Sequence, residues 1–272
     1  MLQVSQLFIY PIKSLGGIAL QSAELTATGF TYDRRWMLTD EQHVFLSQRS
    51  FPQMALLQPV ETSNGFMVFH KNKPTANIFI PFNTELTKKV NATIWDDNCD
   101  AYECSNDINE WFSEMLQIKC KLLYMPDDTK RFVDNNYASN KEITSFSDAY
   151  PVLIIGQNAL DFLNTKLEVP LPIDRFRPNI VFTGGQPHCE DEMAVFSINN
   201  IRFFGVKPCA RCVITTINQL TGEKAAEPLK TLATYRFKNN KIYFGQNILH
   251  QSNGHITVGD KITVSSYSAA FI

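Results

Sequence analysis

An α+β fold rich in β-structure is predicted by three features of the chain. Most apolar runs are strand-length and rich in β-branched or aromatic side chains. Clear helical spacing occurs once. A hydrophobic content of 44% in 272 residues supplies enough apolar material for one large domain or two medium ones. Taken in order, residues 7–10 and 78–80 read as strands. At Ile108, Trp111, Phe112, Met115 and Leu116 the apolar positions then repeat on one helical face, with Ser105, Asn106 and Asp107 ahead of them as capping candidates. The irregular, polar stretch 127–147 reads as a seam and divides the chain into 1–125 and 126–272. Beyond it, residues 152–155 form a strand and a helix follows over about 158–167, stopped by Pro170. Strands are expected at 180–182, 201–204, 213–217, 242–244 and 262–264. A short helix starts at Pro228, whose missing N–H costs nothing at a first helical position. Repeats, low-complexity tracts and Gly/Ser linkers are absent from the sequence.

Charge and composition narrow the function. With 25 Lys+Arg against 27 Asp+Glu, the formal charge is −2, so there is no global basic field for nucleic acid or an anionic membrane, and any anion site must be local. No run approaches the roughly 20 apolar residues of a membrane span, and the mean hydropathy is −0.16. The first 14 residues lack a basic region ahead of an apolar core. Together these features lead us to expect a soluble cytoplasmic chain. Six cysteines are too few for a disulfide scaffold and are expected to be reduced.

Two segments stand out chemically. Cys209 and Cys212 flank Ala210 and Arg211 in a Cys-x-x-Cys spacing, and a guanidinium beside two thiols favours thiolate. By itself that spacing fits half a zinc site, a redox dithiol or two interior thiols. Zinc needs two more ligands, and His188 with Cys189, adjacent on a strand, would face opposite ways. A redox pair commonly precedes a helix, whereas a β-branched stretch follows here. The second segment is Asp174 to Asn179, where strand alternation would put Arg175, Arg177 and Asn179 on one face, a donor set suited to a multi-oxygen anion. A surface strand whose arginines pair with Asp174, Glu190 or Asp191 fits equally well. Further cations come from Arg34 and Arg35, from Arg49, and from Lys13 with Ser14 just before Gly16 and Gly17, whose backbone N–H groups would join them around an anion. The five histidines, His43, His70, His188, His250 and His255, show no metal-binding spacing.

Taken together, Tyr10-Pro-Ile-Lys-Ser14, Asp33-Arg-Arg-Trp36, Gln48-Arg49, Ser147-Asp-Ala-Tyr-Pro151, Arg175-Phe-Arg-Pro-Asn179, Lys207-Pro-Cys-Ala-Arg-Cys212, Phe244-Gly-Gln-Asn247 and Val258-Gly-Asp260 resemble the MOSC family. The order of the motifs is similar to that of its YcbX and mitochondrial amidoxime-reducing component (mARC) branch. The resemblance implies a MOSC β-barrel-like core with a smaller α/β MOSC_N portion, and a molybdenum cofactor (Mo-molybdopterin) bound between them. It implies that Cys212 is the protein ligand to molybdenum and that Cys209 is not. Lys13, Ser14, Arg34, Arg177 and Arg211 would be cofactor contacts, with Arg175, Asn179 and Asp148 as further candidates. A thiolate suits a metal already held by two dithiolene sulfurs, and several cations suit a phosphate dianion.

The activity implied is reduction of N-hydroxylated compounds: hydroxylamines, hydroxylaminopurines and amidoximes. Asp148 is the candidate proton donor. Electrons would come from a separate protein, a ferredoxin, a cytochrome b5-like carrier or a flavin reductase, because no cysteine follows Cys212 to build the iron-sulfur domain of some bacterial relatives. Many relatives carry Trp after a Glu-Asp pair where this chain has Met193 after Glu190-Asp191-Glu192, a stretch expected to shape the substrate mouth. The alternative implied is a cofactor or sulfur carrier, as in the MOSC part of molybdenum-cofactor sulfurases.

Overall fold

The computed structural model describes residues 1–138, 140–269 and 271. Seven strands close on themselves. Val152–Gly156 pairs in parallel with Ile180–Thr183, and from there the order runs antiparallel through Leu2–Ile9, Lys261–Tyr267, Met193–Ile198, Ile201–Ala210 and Lys241–His250. The last of these returns to Val152–Gly156, pairing Ile248 with Val152. Closure leaves no free edge within the ring. Its core includes Val4, Leu7, Phe182, Phe196, Phe203 and Ile248, all at most 1% exposed. The strand Leu2–Ile9 lies inside this ring, so the sheet draws on both sides of the expected 125/126 division.

The segment between holds a four-stranded antiparallel sheet in the order Trp36–Thr39, Lys121–Tyr124, Asp97–Glu103, Lys88–Ile94, and a three-stranded one of Leu57–Glu61, Gly65–His70 and Lys73–Pro81. Helix α1 (Asn106–Leu116) forms where the 3.6-residue spacing places it and buries Ile108, Phe112 and Leu116 against Trp36, Leu38 and Leu122. Ser105 is its N-cap residue, although its hydroxyl makes no capping bond, and Asp107 sits in the first turn, where the helix dipole favours a carboxylate. Helix α2 (Gln157–Asn164) is shorter than expected; the Asn164 side chain bonds both the N–H and the carbonyl of Leu171, turning the chain before Pro170 could act as the stop. Helix α3 (Leu229–Leu232) is a single turn with Pro228 as its N-cap residue.

Residues 213–217 correct the expected strand. Val213–Thr216 is a three-ten turn, because the Thr215 hydroxyl donates to the Cys212 carbonyl at 3.0 Å and the Thr216 hydroxyl to the Val213 carbonyl at 2.8 Å. Threonine hydroxyls that bond back to the chain override the β-preference of their branched side chains.

Candidate active site

A cleft forms where the end of the strand Leu2–Ile9, the seam, the turn after Ile173 and the end of the strand Ile201–Ala210 meet. It is lined by Lys13, Ser14, Arg34, Arg49, Asp148, Arg177, Asn179, Cys209, Arg211 and Cys212 among others.

Its N-terminal wall is fixed by backbone pairing. The Tyr10 N–H donates to Asp33 Oδ1 at 2.7 Å, and the Lys13 N–H to the Trp36 carbonyl at 2.8 Å. Lys13 is thereby brought in almost fully buried, and its Nζ donates to the Phe146 carbonyl at 2.9 Å and to Asp148 Oδ1 at 2.5 Å. Gly16 and Gly17 do not join it. The Gly16 N–H is spent on the Leu57 carbonyl, and neither glycine lines the cleft.

The expected strand face of Arg175, Arg177 and Asn179 is also corrected. Ile173–Phe176 is a three-ten turn, and Arg177 follows in the left-handed region at φ 54°. Pro178 disfavours a right-handed helical conformation at the residue before it, which ends the turn there. Arg177 and Asn179 reach the cleft. Arg175 turns behind it and donates to the Thr215 carbonyl at 3.3 Å, steadying the turn that begins after Cys212. Asn179 ties the wall together: its Oδ1 accepts from Arg34 Nη1 at 3.3 Å and from the Leu153 N–H at 3.2 Å, while its Nδ2 donates to the Phe8 carbonyl at 3.2 Å.

Opposite them, Arg211 Nη1 donates to Cys209 Sγ at 3.1 Å and Nη2 to the Phe176 carbonyl at 2.6 Å. Cys212 is partly exposed, and its Sγ has no hydrogen-bond partner among the described residues. His188 and Cys189 are not on a strand. His188 is left-handed at φ 65° and Cys189 opens a three-ten turn, and both line a different hollow. Among the described residues no group of three or more His, Cys, Asp or Glu could hold a metal ion.

Five cations therefore face one carboxylate across the cleft: Lys13, Arg34, Arg49, Arg177 and Arg211 against Asp148. Desolvation by the cleft walls works against the Asp148 carboxylate, but Lys13, Arg49 and Arg34 outweigh it and hold the carboxyl well below its usual range. That counts against Asp148 as a proton donor near neutral pH. Burial pulls the Lys13 ammonium below the ordinary lysine value, with Asp148 opposing. Burial also works against the Arg34 charge, but Asp33, 2.5 Å away, outweighs it and raises the guanidinium pKa. Arg177 lacks such a partner. Burial lowers its guanidinium to about 10, and the Tyr10 ring lies 4.2 Å from it. Three guanidinium nitrogens on these walls, Arg177 Nη2, Arg211 Nε and Arg49 Nε, are buried with no hydrogen-bond partner. Buried donors left over in this way mark a site shaped for an acceptor that the chain does not itself provide.

Arg49 is a cation of the cleft that the sequence reading quoted and did not assign. Its signal was a cation in a strand-like segment, which is common on solvated faces. The Glu190-Asp191-Glu192-Met193 stretch does not shape this cleft. It borders the second hollow, where Asp191 is ion-paired to Arg236 and burial, with Asp191 alongside, pushes Glu190 up to about 8.

Comparison with known proteins agrees with this layout. The description "MOSC N-terminal beta barrel domain" matches residues 1–119 and "MOSC domain" matches residues 141–263. Mitochondrial amidoxime-reducing component 1 of Mus musculus is 28% identical over 95% of this chain and 81% of its own length, and that of Homo sapiens is 28% identical over 95% and 82%. Molybdenum cofactor sulfurase of Solanum lycopersicum is 27% identical over 95% of this chain, which spans only 35% of that protein. Among the described residues no helix is long and apolar enough to cross a membrane.

Proposed function

Because the chain belongs to the proteins that join a MOSC N-terminal beta barrel domain to a MOSC domain, we propose that it is a molybdenum-cofactor-dependent reductase of N-hydroxylated compounds: hydroxylamines, hydroxylaminopurines and amidoximes. The observation that carries this reading is the convergence of a free thiol with three arginines whose buried nitrogens lack partners. That donor set fits an anionic, phosphate-bearing cofactor with a soft metal. Cys212 is the metal ligand in this reading, and Lys13, Ser14, Arg34, Arg49, Arg177, Asn179 and Arg211 hold the cofactor. Arg175 contributes from behind, through the Thr215 carbonyl. When bound, the cofactor supplies a two-electron redox change at molybdenum, between +6 and +4.

The reaction balances as R–NHOH plus two electrons and two protons giving R–NH2 and water. The N–O bond breaks, one proton goes to nitrogen and one to the departing oxygen. Asp148, held ionised, keeps the Lys13 ammonium in place and leaves proton delivery to water. The cationic wall stabilises negative charge in the cleft without having to reorganise. Electrons come from a separate donor protein, a ferredoxin, a cytochrome b5-like carrier or a flavin reductase, and a cytoplasmic location belongs to the same proposal.

The test is metal and pterin analysis of the chain made in a cofactor-competent host, followed by oxidation of reduced viologen on addition of hydroxylamine. Stoichiometric molybdenum with turnover supports the reductase. Full molybdenum without turnover favours a cofactor or sulfur carrier, the reading to which the sulfurase similarity points.

A further inference from the structure

One bulky side chain beside the cleft occupies a turn position whose backbone favours a small residue. Strands Lys88–Ile94 and Asp97–Glu103 form a hairpin in which Ile94 pairs with Asp97, leaving Trp95 and Asp96 as a two-residue turn. Trp95 has φ 54°. Glycine, asparagine or aspartate meet that demand with little strain, and a large aromatic side chain there is an outlier of the kind that gathers at functional sites. The ring is not hidden in a core either. Trp95 is 38% exposed, whereas Trp36 is fully buried.

What the ring touches places it at the cleft. The Arg49 guanidinium lies 4.1 Å from its centroid, Trp95 Nε1 donates to Asp148 Oδ1 at 3.4 Å, and Phe45 packs against it at 4.4 Å with the planes 63° apart. Arg49 and Asp148 both line the cleft. A planar cation stacked on a planar ring, partly exposed beside a polar cleft, is a surface on which a further π-system can lie. An aliphatic hydroxylamine gains little from such a surface.

We propose that Trp95 is a specificity-determining residue that favours N-hydroxylated substrates whose reacting group is conjugated to a planar ring over small non-planar ones. The proposal rests on the reductase reading for its substrate class. Its basis is separate: the hairpin-tip conformation and the contacts to Arg49 and Asp148.

The experiment uses the cofactor-loaded protein and two probes, benzamidoxime and hydroxylamine. Relative to wild type, Trp95→Ala lowers the ratio of kcat/KM for benzamidoxime to that for hydroxylamine about ten-fold, the order of loss seen when a stacking aromatic is removed. Trp95→Phe restores most of the ratio. Calorimetric titration of the oxidised protein with benzamidoxime, with no electron donor present, shows a Kd weakened by a similar factor in Trp95→Ala. A collapsed hairpin would lower both kcat/KM values together, and an unchanged ratio overturns the proposal. If the loaded wild type turns over neither probe, the reductase reading fails. The calorimetric arm still decides on Trp95, because an unchanged Kd overturns its role and a weakened one sustains it.

Discussion

Asp148 Oδ1 lies 2.5 Å from Lys13 Nζ, which joins a residue just past the first barrel strand to one at the end of the seam. The Lys13 side chain is 6% exposed and that of Asp148 is 62%, so the carboxylate faces the cleft while the ammonium lies beneath it.

From that geometry follows a pH prediction. A carboxyl whose folded pKa lies below its unfolded value, about 3.9, adds stability above that value and loses it as pH falls. Asp148→Asn should therefore be less stable than wild type near neutrality, and the difference should shrink as pH falls below about 4. Because Asp148 is already ionised at neutral pH, its replacement should leave the shape of the pH dependence of turnover between about pH 6 and 8 unaltered. Urea unfolding at both pH values and a pH profile of turnover check the two halves. Loss of a limb of that profile would make Asp148 the proton donor after all.

Arg177→Ala should lower cofactor occupancy without unfolding the chain. A charge-assisted bond to phosphate contributes about 1.5 to 3 kcal/mol, so affinity should fall ten-fold or more. In the unloaded protein the Arg177 charge is buried, with one nitrogen lacking a partner. Its removal should leave thermal unfolding of the unloaded protein equal to wild type or somewhat higher. Arg177→Lys should recover only part of the occupancy, since an ammonium cannot bind in bidentate fashion. A marked fall in the unloaded melting temperature would make the Arg177–Tyr10 contact structural.

Arg177 also shows how far the sequence could be followed. Its candidacy for an anion-binding set was legible from residue types, although a surface strand whose arginines pair with nearby carboxylates fitted equally well. Its geometry was not, because alternation assumes a strand and Pro178 imposes a turn. Helix α1 was legible because a 3.6-residue repeat is a local property. The ring of seven strands was legible only through the family resemblance, since the pairing of Leu2–Ile9 with Ile180–Thr183 and Lys261–Tyr267 joins residues far apart in the chain and leaves no local trace. Arg49 went unassigned because its role arises from that long-range assembly.

The two cysteines of the Cys209–Cys212 segment should behave differently. Cys209 accepts from Arg211 Nη1 at 3.1 Å, whereas Cys212 Sγ has no hydrogen-bond partner among the described residues. Cys212→Ser should abolish turnover or remove most bound molybdenum, and Cys209→Ser should retain most of both. Metal content by mass spectrometry, measured beside turnover, decides the matter. Equal metal loss from both variants would point to a two-thiol site instead.

The electron supply gives the last prediction. With a strong artificial donor such as reduced viologen the loaded chain should reduce an N-hydroxylated substrate, yet with NADH or NADPH alone it should show no activity. The sequence has no Gly-x-Gly-x-x-Gly fingerprint to hold a nicotinamide. The remaining thiols are not placed for an iron-sulfur cluster. Burial pushes the thiols of Cys99, Cys104 and Cys120 up, to about 11 for Cys99 and about 12 for Cys104, and no metal-binding group of three or more ligands exists among the described residues. A cluster needs about four thiolates held together. In the proposed reductase electrons enter at the cleft from a donor that docks beside it, so nicotinamide-driven turnover should appear only when a reductase and its carrier are added. Salt should slow that coupled reaction more than the viologen reaction, because an acidic carrier drawn to the cationic cleft loses its electrostatic steering as ionic strength rises. Stopped-flow rates at low and high salt, with carrier and with viologen, measure the difference. Nicotinamide-driven turnover by the purified chain alone would overturn the prediction, since it would require a hydride-accepting site that neither the sequence nor the cleft provides.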